Sequence, residues 1–347
     1  MNTGIAYALL GAALFGASTP IAKLLVGETG PVMLAGLLYA GSGVGLVLWL
    51  AVRGLIWPAA ERSRFAAGDY KWLAGAVISG GVFGPALLMF ALAASSASSV
   101  SLLLNLESVF TALLAWFVFR ENFDRRLMLG MSLIVCGGVI LGWRPGEIGT
   151  SWPALAVAGA CLCWALDNNL TRKISAGDSA KIAAIKGLAA GTFNLCVAAA
   201  FGAALPAPQV AAAAALVGLL GYGVSLALFV EALRQLGTAR TGAYFSTAPF
   251  IGATASFALL GEAPDALFWV AAVLMAAGVV LHLTERHRHL HRHEALTHIH
   301  PHVHDEHHRH EHDLAWDGAE PHSHTHGHDP LSHSHAHFPD IHHRHGH

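Results

Sequence analysis

Histidine is missing from the first 281 residues of this chain; all 24 histidines fall between His282 and His347. Charge is scarce as well. Only 12% of the 347 residues are Asp, Glu, Lys or Arg, about half the share that a soluble domain carries. The histidine-free part holds only scattered carboxylates and shows no nucleophile–base constellation and no metal-ligand set, so an enzyme is not expected and no cofactor is expected there. No phosphate-cradling glycine loop occurs, which excludes ATP as the direct energy source. The four cysteines, Cys136, Cys161, Cys163 and Cys196, lie in apolar runs without metal-site spacing and read as small buried apolar side chains. Met1-Asn2-Thr3 lacks the basic start of a cleaved signal, and the first apolar run is long enough to span and stay. The net charge of -2 averages two unlike regions and gives no reason to expect a nucleic-acid partner.

What the chain has in abundance is apolar sequence, 54% of all residues. A bilayer core of about 30 Å needs around 20 apolar residues as helix. That ruler yields ten segments: 4–26, 31–52, 72–94, 98–119, 127–143, 152–172, 181–203, 212–234, 239–260 and 265–284. Helix is the expected state because backbone groups in lipid must be satisfied within each segment. With the N-terminus cytoplasmic, the inner loops hold twelve Lys and Arg residues and the outer loops only Arg144. This positive-inside bias predicts a multi-pass protein of the cell (inner) membrane with both termini cytoplasmic.

Two phrases repeat across the chain. Ser108–Glu121 (SVFTALLAWFVFRE) and Pro249–Glu262 (PFIGATASFALLGE) each run apolar to a glutamate, and each is the fourth of five segments in its half. Five spans per half is an odd number, so the second half enters the membrane inverted relative to the first, the arrangement on which alternating access rests. The expected fold is an all-α membrane protein of ten transmembrane helices in two inverted five-helix repeats, residues 1–143 and 150–284. Residues 285–347 follow as a disordered, His-rich cytoplasmic tail.

With Phe15-Gly16 and Lys23 in the first segment, Thr247-Ala248-Pro249, and the endings at Glu121 and Glu262, the chain resembles the EamA-type branch of the drug/metabolite transporter superfamily over residues 4–284. The resemblance implies a secondary carrier with a central cavity that works by alternating access, mostly in export of metabolites, amino acids or toxic compounds. Lys23, Glu121, Pro249 and Glu262 are its markers. One departure stands out. Glu107-Ser108 occupies the place where the second half keeps Ala248-Pro249, which removes a kink-prone proline and puts a carboxylate near mid-membrane.

Ionisable residues inside the bilayer cost about 2.5–3.5 kcal/mol each on insertion scales and call for a reason. Glu107 suits proton coupling or recognition of a cationic group, and Ser108 and Thr111 share its helix arc. Trp164, Asp167, Asn168 and Thr171 share one arc of the sixth segment, a mix suited to a polar small molecule. Asp167 and Lys186 sit at matching depth in consecutive antiparallel helices and are expected to pair. Lys23 reads as snorkelling outward, and Glu121 and Glu262 as anchoring residues at helix ends.

The tail alternates histidine with other residues. His298, His300, His302, His304, His307, His308, His310, His322, His324, His326, His328, His333, His335 and His337 are candidate ligands for Zn, Ni, Co or Cu, with Asp305, Glu306 and Asp313 as added oxygen donors. Below about pH 6.5 it would also gain positive charge. The leading expectation is a secondary transporter, in the export direction, of a small polar metabolite or amino-acid-like compound, with a metal-binding regulatory tail. A divalent metal-ion carrier is the alternative within transport, and a metal-sensing membrane receptor or scaffold the alternative of another class. The expected partners are the lipid bilayer, the small-molecule substrate and divalent metal ions at the tail; a homodimer is compatible with the reading.

Overall fold

The computed structural model describes residues 3–56, 68–119, 125–143, 151–174, 178–283, 288–293, 296–302, 322–328 and 331–336. Ten helical arms make up the body. In the first half they are α1 (Thr3–Thr29), α2 (Pro31–Ile56), α3 (Asp69–Ala94), α4 (Ala97–Leu103 and Leu106–Phe119) and α5 (Arg125–Gly142). The second half has α6 (Trp152–Arg172), α7 (Ser179–Ala200), α8 (Pro208–Val217 leading through a π turn into Ser225–Phe245), α9 (Ala248–Leu260) and α10 (Ala266–Leu283). Among the described residues, nine helical stretches are long and apolar enough to cross a membrane. The arm outside that set is α6, which at 21 residues has the length but carries Asp167, Asn168, Asn169 and Thr171 in its last turns.

The arms pack across the halves more than within them. α2 lies on α7, α5 on α10, and the first piece of α4 on α9; α1 packs on α8 and α9, and α6 on α3 and α4. Exchanging the halves maps this set onto itself. Small residues allow the closest approach, between α2 and α7: a Cβ on Gly43 would lie 2.4 Å from the Leu188 nitrogen, and one on Gly187 2.6 Å from the Gly43 nitrogen. Lys and Arg would not fit such a seam; backbone-to-backbone contact is what glycine there provides. On the outside stand exposed apolar side chains such as Leu48, Phe117 and Val273, the surface that hydrocarbon requires.

Two irregularities recur at the same place in each half. A seven-residue π segment interrupts α3 at Val77–Phe83 and α8 at Gly218–Val224, and the distance in sequence between them equals that between Ser108 and Pro249. The helix also breaks at Leu104–Asn105 within α4 and at Ser246–Thr247 before α9. The second break has a clear cause. Pro249 has no N–H to donate and crowds the carbonyl four residues back, so the helix restarts at Ala248. The first break corrects an expectation, because α4 has no proline there and was expected to lose its kink. Polar side chains do the work instead: Asn105 Nδ2 donates to the Leu102 carbonyl at 3.0 Å and Ser108 Oγ to the Asn105 carbonyl at 2.7 Å. The gap between the expected segments 212–234 and 239–260 is helical, and the α8 helix runs on to Phe245.

Residues 286–338 form a separate unit. Where a structureless tail was expected, the described residues form four short strands: β1 (Arg288–His293) pairs with β4 (Leu331–Ala336), and β2 (Leu296–His302) with β3 (His322–His328), both antiparallel. The physical reason lies in the period. Alternation of His with another residue repeats every second position, which is the period of a strand.

Candidate transport site

A π turn leaves carbonyls without intrahelical partners, and in α3 other helices supply them. The Gly80 carbonyl accepts from Tyr39 Oη at 2.8 Å and from Trp164 Nε1 at 2.9 Å, and the Gly81 carbonyl from Asn194 Nδ2 at 3.3 Å. Glycine is required at these turns because a helix of the other half presses on them. A Cβ on Gly80 would stand 2.0 Å from Asp167 Oδ2, and one on Gly221, its counterpart in α8, 2.5 Å from Ser18 Cβ. So α6 meets the α3 turn and α1 meets the α8 turn in the same way.

Between these contacts opens a cleft with about 490 Å³ of empty space, lined by Phe15, Tyr39, Glu107, Trp164, Asp167, Asn168, Gly221, Tyr222, Ser225, Leu226, Phe229 and Phe245. Its wall is aromatic. Phe15 contacts Trp164 at 5.7 Å and Tyr222 at 5.6 Å edge to face, Tyr39 meets Tyr222 at 5.5 Å, and Phe229 meets Phe245 at 4.9 Å between ring centres. Among the described residues no Lys, Arg or His lines it. Glu107, in the first turn of the restarted α4 helix, accepts a hydrogen bond from Asn168 Nδ2 at 2.7 Å, which ties the two halves together across the cleft.

Asp167 reaches the same cleft but is already engaged. Lys186 Nζ lies 2.5 and 2.7 Å from its two oxygens, Thr171 Oγ1 donates to Oδ1 at 2.8 Å, and Lys186 also reaches the Thr171 oxygen at 3.2 Å. The expected pair is present, and it is deep: Lys186 is 1% exposed and Asp167 5%. Burial of two charges is tolerated only when they are paired and their remaining hydrogen-bonding capacity is met, as here. Of the two carboxylates at the cleft, Glu107 alone is without an ion pair among the described residues.

Of the residues that sequence singled out, the cleft gathers Glu107, Trp164, Asp167 and Asn168. Thr171 and Lys186 stand behind Asp167. Ser108 and Thr111 are not in the lining: Ser108 serves the α4 break, and Thr111 Oγ1 is buried without a hydrogen-bond partner. Lys23 differs from the expectation of a free, snorkelling amine, since its Nζ donates to the carbonyls of Leu92 at 2.5 Å and Ser95 at 2.9 Å and closes the end of α3. Glu262 accepts from the backbone N–H groups of Ala97 at 2.8 Å and Ser98 at 2.9 Å, so it caps the first turn of α4 from the other half. Pro249 sits at the start of α9. Glu121 lies outside the described residues, as do His304, His307, His308, His310 and His337. Sequence reasoning missed Tyr39, Tyr222, Ser225, Phe229 and Phe245. Aromatic residues in an apolar run carry the same hydropathy whether they face lipid or a cavity; only the neighbouring Gly80-Gly81 and Gly221 could have signalled them. Among the described residues no group of three or more His, Cys, Asp or Glu side chains could hold a metal ion.

Duplicated helical halves that share one cleft, in a shell of exposed apolar side chains, define a multi-pass membrane transporter. The chain belongs to the EamA-like transporter family, whose sequence profile matches residues 2–143 and again 151–284. It is similar to an uncharacterized transporter of Methanothermobacter thermautotrophicus, with 27% identity over 282 residues covering 77% of this chain and 82% of that protein. It is also similar to the uncharacterized transporter YyaM of Bacillus subtilis, at 24% identity over 296 residues and 78% and 93% coverage. A solved crystal structure shares the fold, with a TM-score of 0.61 at 18% identity, covering 80% of this chain and 95% of that one. The protein is a transporter and not an enzyme.

Proposed function

We propose that this transporter is a secondary carrier that exports a small polar metabolite of amino-acid-like or amine character, with Glu107 as the group that meets its cation or the coupling proton. The observation that carries this reading is the lining itself: aromatic faces, one carboxylate free of an ion pair, and no basic side chain. Aromatic faces attract a cationic group by roughly 0.5–2 kcal/mol each when water is excluded, and a carboxylate supplies the directional contact. An anionic substrate would find no cationic side chain among the described lining residues. A hydrated divalent metal would find one usable carboxylate and no imidazole or thiolate, too few donors for an ion of that kind.

Alternating access follows from the paired architecture. The cleft is lined from α1, α2 and α4 of the first half and α6 and α8 of the second, and rocking of one set of arms against the other would expose it to each side in turn. The twelve-to-one excess of basic residues in loops on one side supports cytoplasmic termini and a cell-membrane location. The His-rich tail would then lie in the cytoplasm, where divalent metal binding could regulate the carrier.

Replacement of Glu107 by Gln tests the reading in proteoliposomes carrying an imposed pH gradient. The side chain keeps its shape and can still bond Asn168, so the protein should fold and insert normally. Gradient-driven transport should be abolished. Transport with unaltered dependence on the gradient would remove Glu107 from the mechanism and the reading with it.

A further inference from the structure

We infer that Tyr222 is a second polar contact for the substrate, its hydroxyl donating a hydrogen bond to a neutral oxygen on the same amine that Glu107 meets. The cargo is then an amine that also carries a hydroxyl or an amide carbonyl. The inference deepens the reading of the cleft as the transport site and rests on it. Tyr222 lines that cleft and is 6% exposed, yet its Oη is buried without a hydrogen-bond partner. Buried polar groups are ordinarily bonded, and one that is not calls for an explanation. The empty space beside Tyr222 supplies one.

The other hydroxyls and the indole of the wall are committed to the protein. Tyr39 Oη and Trp164 Nε1 both donate to the Gly80 carbonyl, and Ser225 Oγ donates to the Gly11 carbonyl at 2.8 Å. Asn168 spends one N–H on Glu107. Ser18, which packs against the Gly221 turn, donates to the Phe15 carbonyl at 2.6 Å. Of the hydroxyl and indole groups in the lining, Tyr222 alone keeps its proton for something that enters.

Comparison of the halves shows how that hydroxyl came to be free. By the spacing that relates the two π turns, Tyr222 stands where the first half has Gly81. The first turn receives its donors from α2 and α6, as Tyr39 and Trp164. The second turn carries its own hydroxyl, and the α1 residue in the place of Trp164 is Phe15, three positions before Ser18 as Trp164 is three before Asp167. A phenylalanine ring neither donates nor accepts a conventional hydrogen bond. Phe15 packs edge to face on Tyr222 at 5.6 Å and leaves the hydroxyl unmatched. The oxygen that this hydroxyl meets is neutral, because among the described residues no cationic side chain lines the cleft. A carboxylate facing only a phenol would be buried without a counter-charge.

Leucinol, leucine and 3-methylbutylamine share one branched skeleton and carry a hydroxyl, a carboxylate or neither beside the amine. Binding of each is measured by calorimetry on the full-length protein in nanodiscs, for the parent, Tyr222→Phe and Glu107→Gln. The parent should bind leucinol about 5–10-fold more tightly than 3-methylbutylamine, the range of one neutral hydrogen bond, and leucine most weakly. Tyr222→Phe keeps the ring and loses no bond within the protein, so its melting temperature should match the parent's. It should erase the preference: leucinol falls to the level of 3-methylbutylamine, whose own affinity stays unchanged. Glu107→Gln should weaken both amines by the same factor. A preference that survives Tyr222→Phe, or equal losses for both amines, would show that the hydroxyl only shapes the wall or holds a water. Either result would overturn the inference and leave the reading of Glu107 intact. Leucine bound more tightly than leucinol would overturn the neutral oxygen. No binding of any of these compounds by the parent would overturn both the inference and the amine reading of the cleft.

Discussion

The two halves share a scaffold and differ in chemistry. Each has a π turn with a glycine against the opposing helix, each breaks the helix at or near the start of its fourth arm, and the packing partners of one are the packing partners of the other. Yet where α1 brings Ser18 to the Gly221 turn, α6 brings Asp167 to the Gly80 turn, backed by Lys186 and Thr171. Where α7 starts from the Asp178 cap joined to Arg53, its counterpart α2 starts from Gly30 and Pro31. Duplication preserved the hinges and the close contacts, which any working carrier of this shape needs twice. The polar groups were not duplicated: Glu107 comes from the first half and the Asp167–Lys186 pair from the second.

The sharpest way to break that comparison is to remove the buried ion pair from the half that has it. Lys186→Met leaves the Asp167 carboxylate buried without its partner and should destabilise the purified protein by about 3–5 kcal/mol, seen as a large drop in melting temperature in detergent. Asp167→Asn together with Lys186→Met should recover much of that loss. Ser18→Ala, the matching change in the other half, should cost only about 1 kcal/mol, the worth of one hydrogen bond. Similar effects from Lys186→Met and Ser18→Ala would show that the second half has no special dependence on its pair.

Next in size are the glycines of the two π turns. Gly80→Ala and Gly221→Ala each insert a methyl where no room exists, and overpacking of this kind costs about 1–3 kcal/mol. The change at Gly80 should be the worse of the two in thermal unfolding, because its methyl displaces a carboxylate from an ammonium rather than shifting a serine. The smallest effect concerns the Asp178 cap. Partial burial pushes its carboxyl up, but the Arg53 guanidinium and the Lys181 N–H more than offset this and hold it below the ordinary carboxylate range. A depressed folded value means that the cap contributes stability above the ordinary aspartate range and loses it as the pH falls through the lower, folded value. Acid titration of stability should therefore show an inflection that Asp178→Asn removes, and α2 should show none from its own start.

Much of this architecture is legible in the amino-acid order because lipid imposes simple rules. The positions of most arms follow from apolar length; the boundary between α8 and α9 did not. The Asp167–Lys186 pair follows from depth counted along antiparallel helices, since charges at equal depth in a low dielectric have few alternatives to each other. The aromatic wall was not legible: Tyr39, Tyr222, Phe229 and Phe245 look like any other apolar residue in a span, and only the packing of α2 and α8 brings them to one cleft. Nor was the break at Leu104–Asn105, where a side-chain amide and a hydroxyl replace the expected proline. In the tail, alternation was visible as a list of ligands, but its meaning as strand period emerged only with the register of β2 and β3.

The central claim is that both halves close on one cleft that opens to each side of the membrane in turn. Ser225, which lines the cleft and differs from cysteine by one atom, is the place to test it. After Cys136, Cys161, Cys163 and Cys196 are replaced, Ser225→Cys should react with membrane-impermeant thiol reagents added from either side, and transported substrate should slow both reactions. Labelling from one side only, unaffected by substrate, would contradict the account.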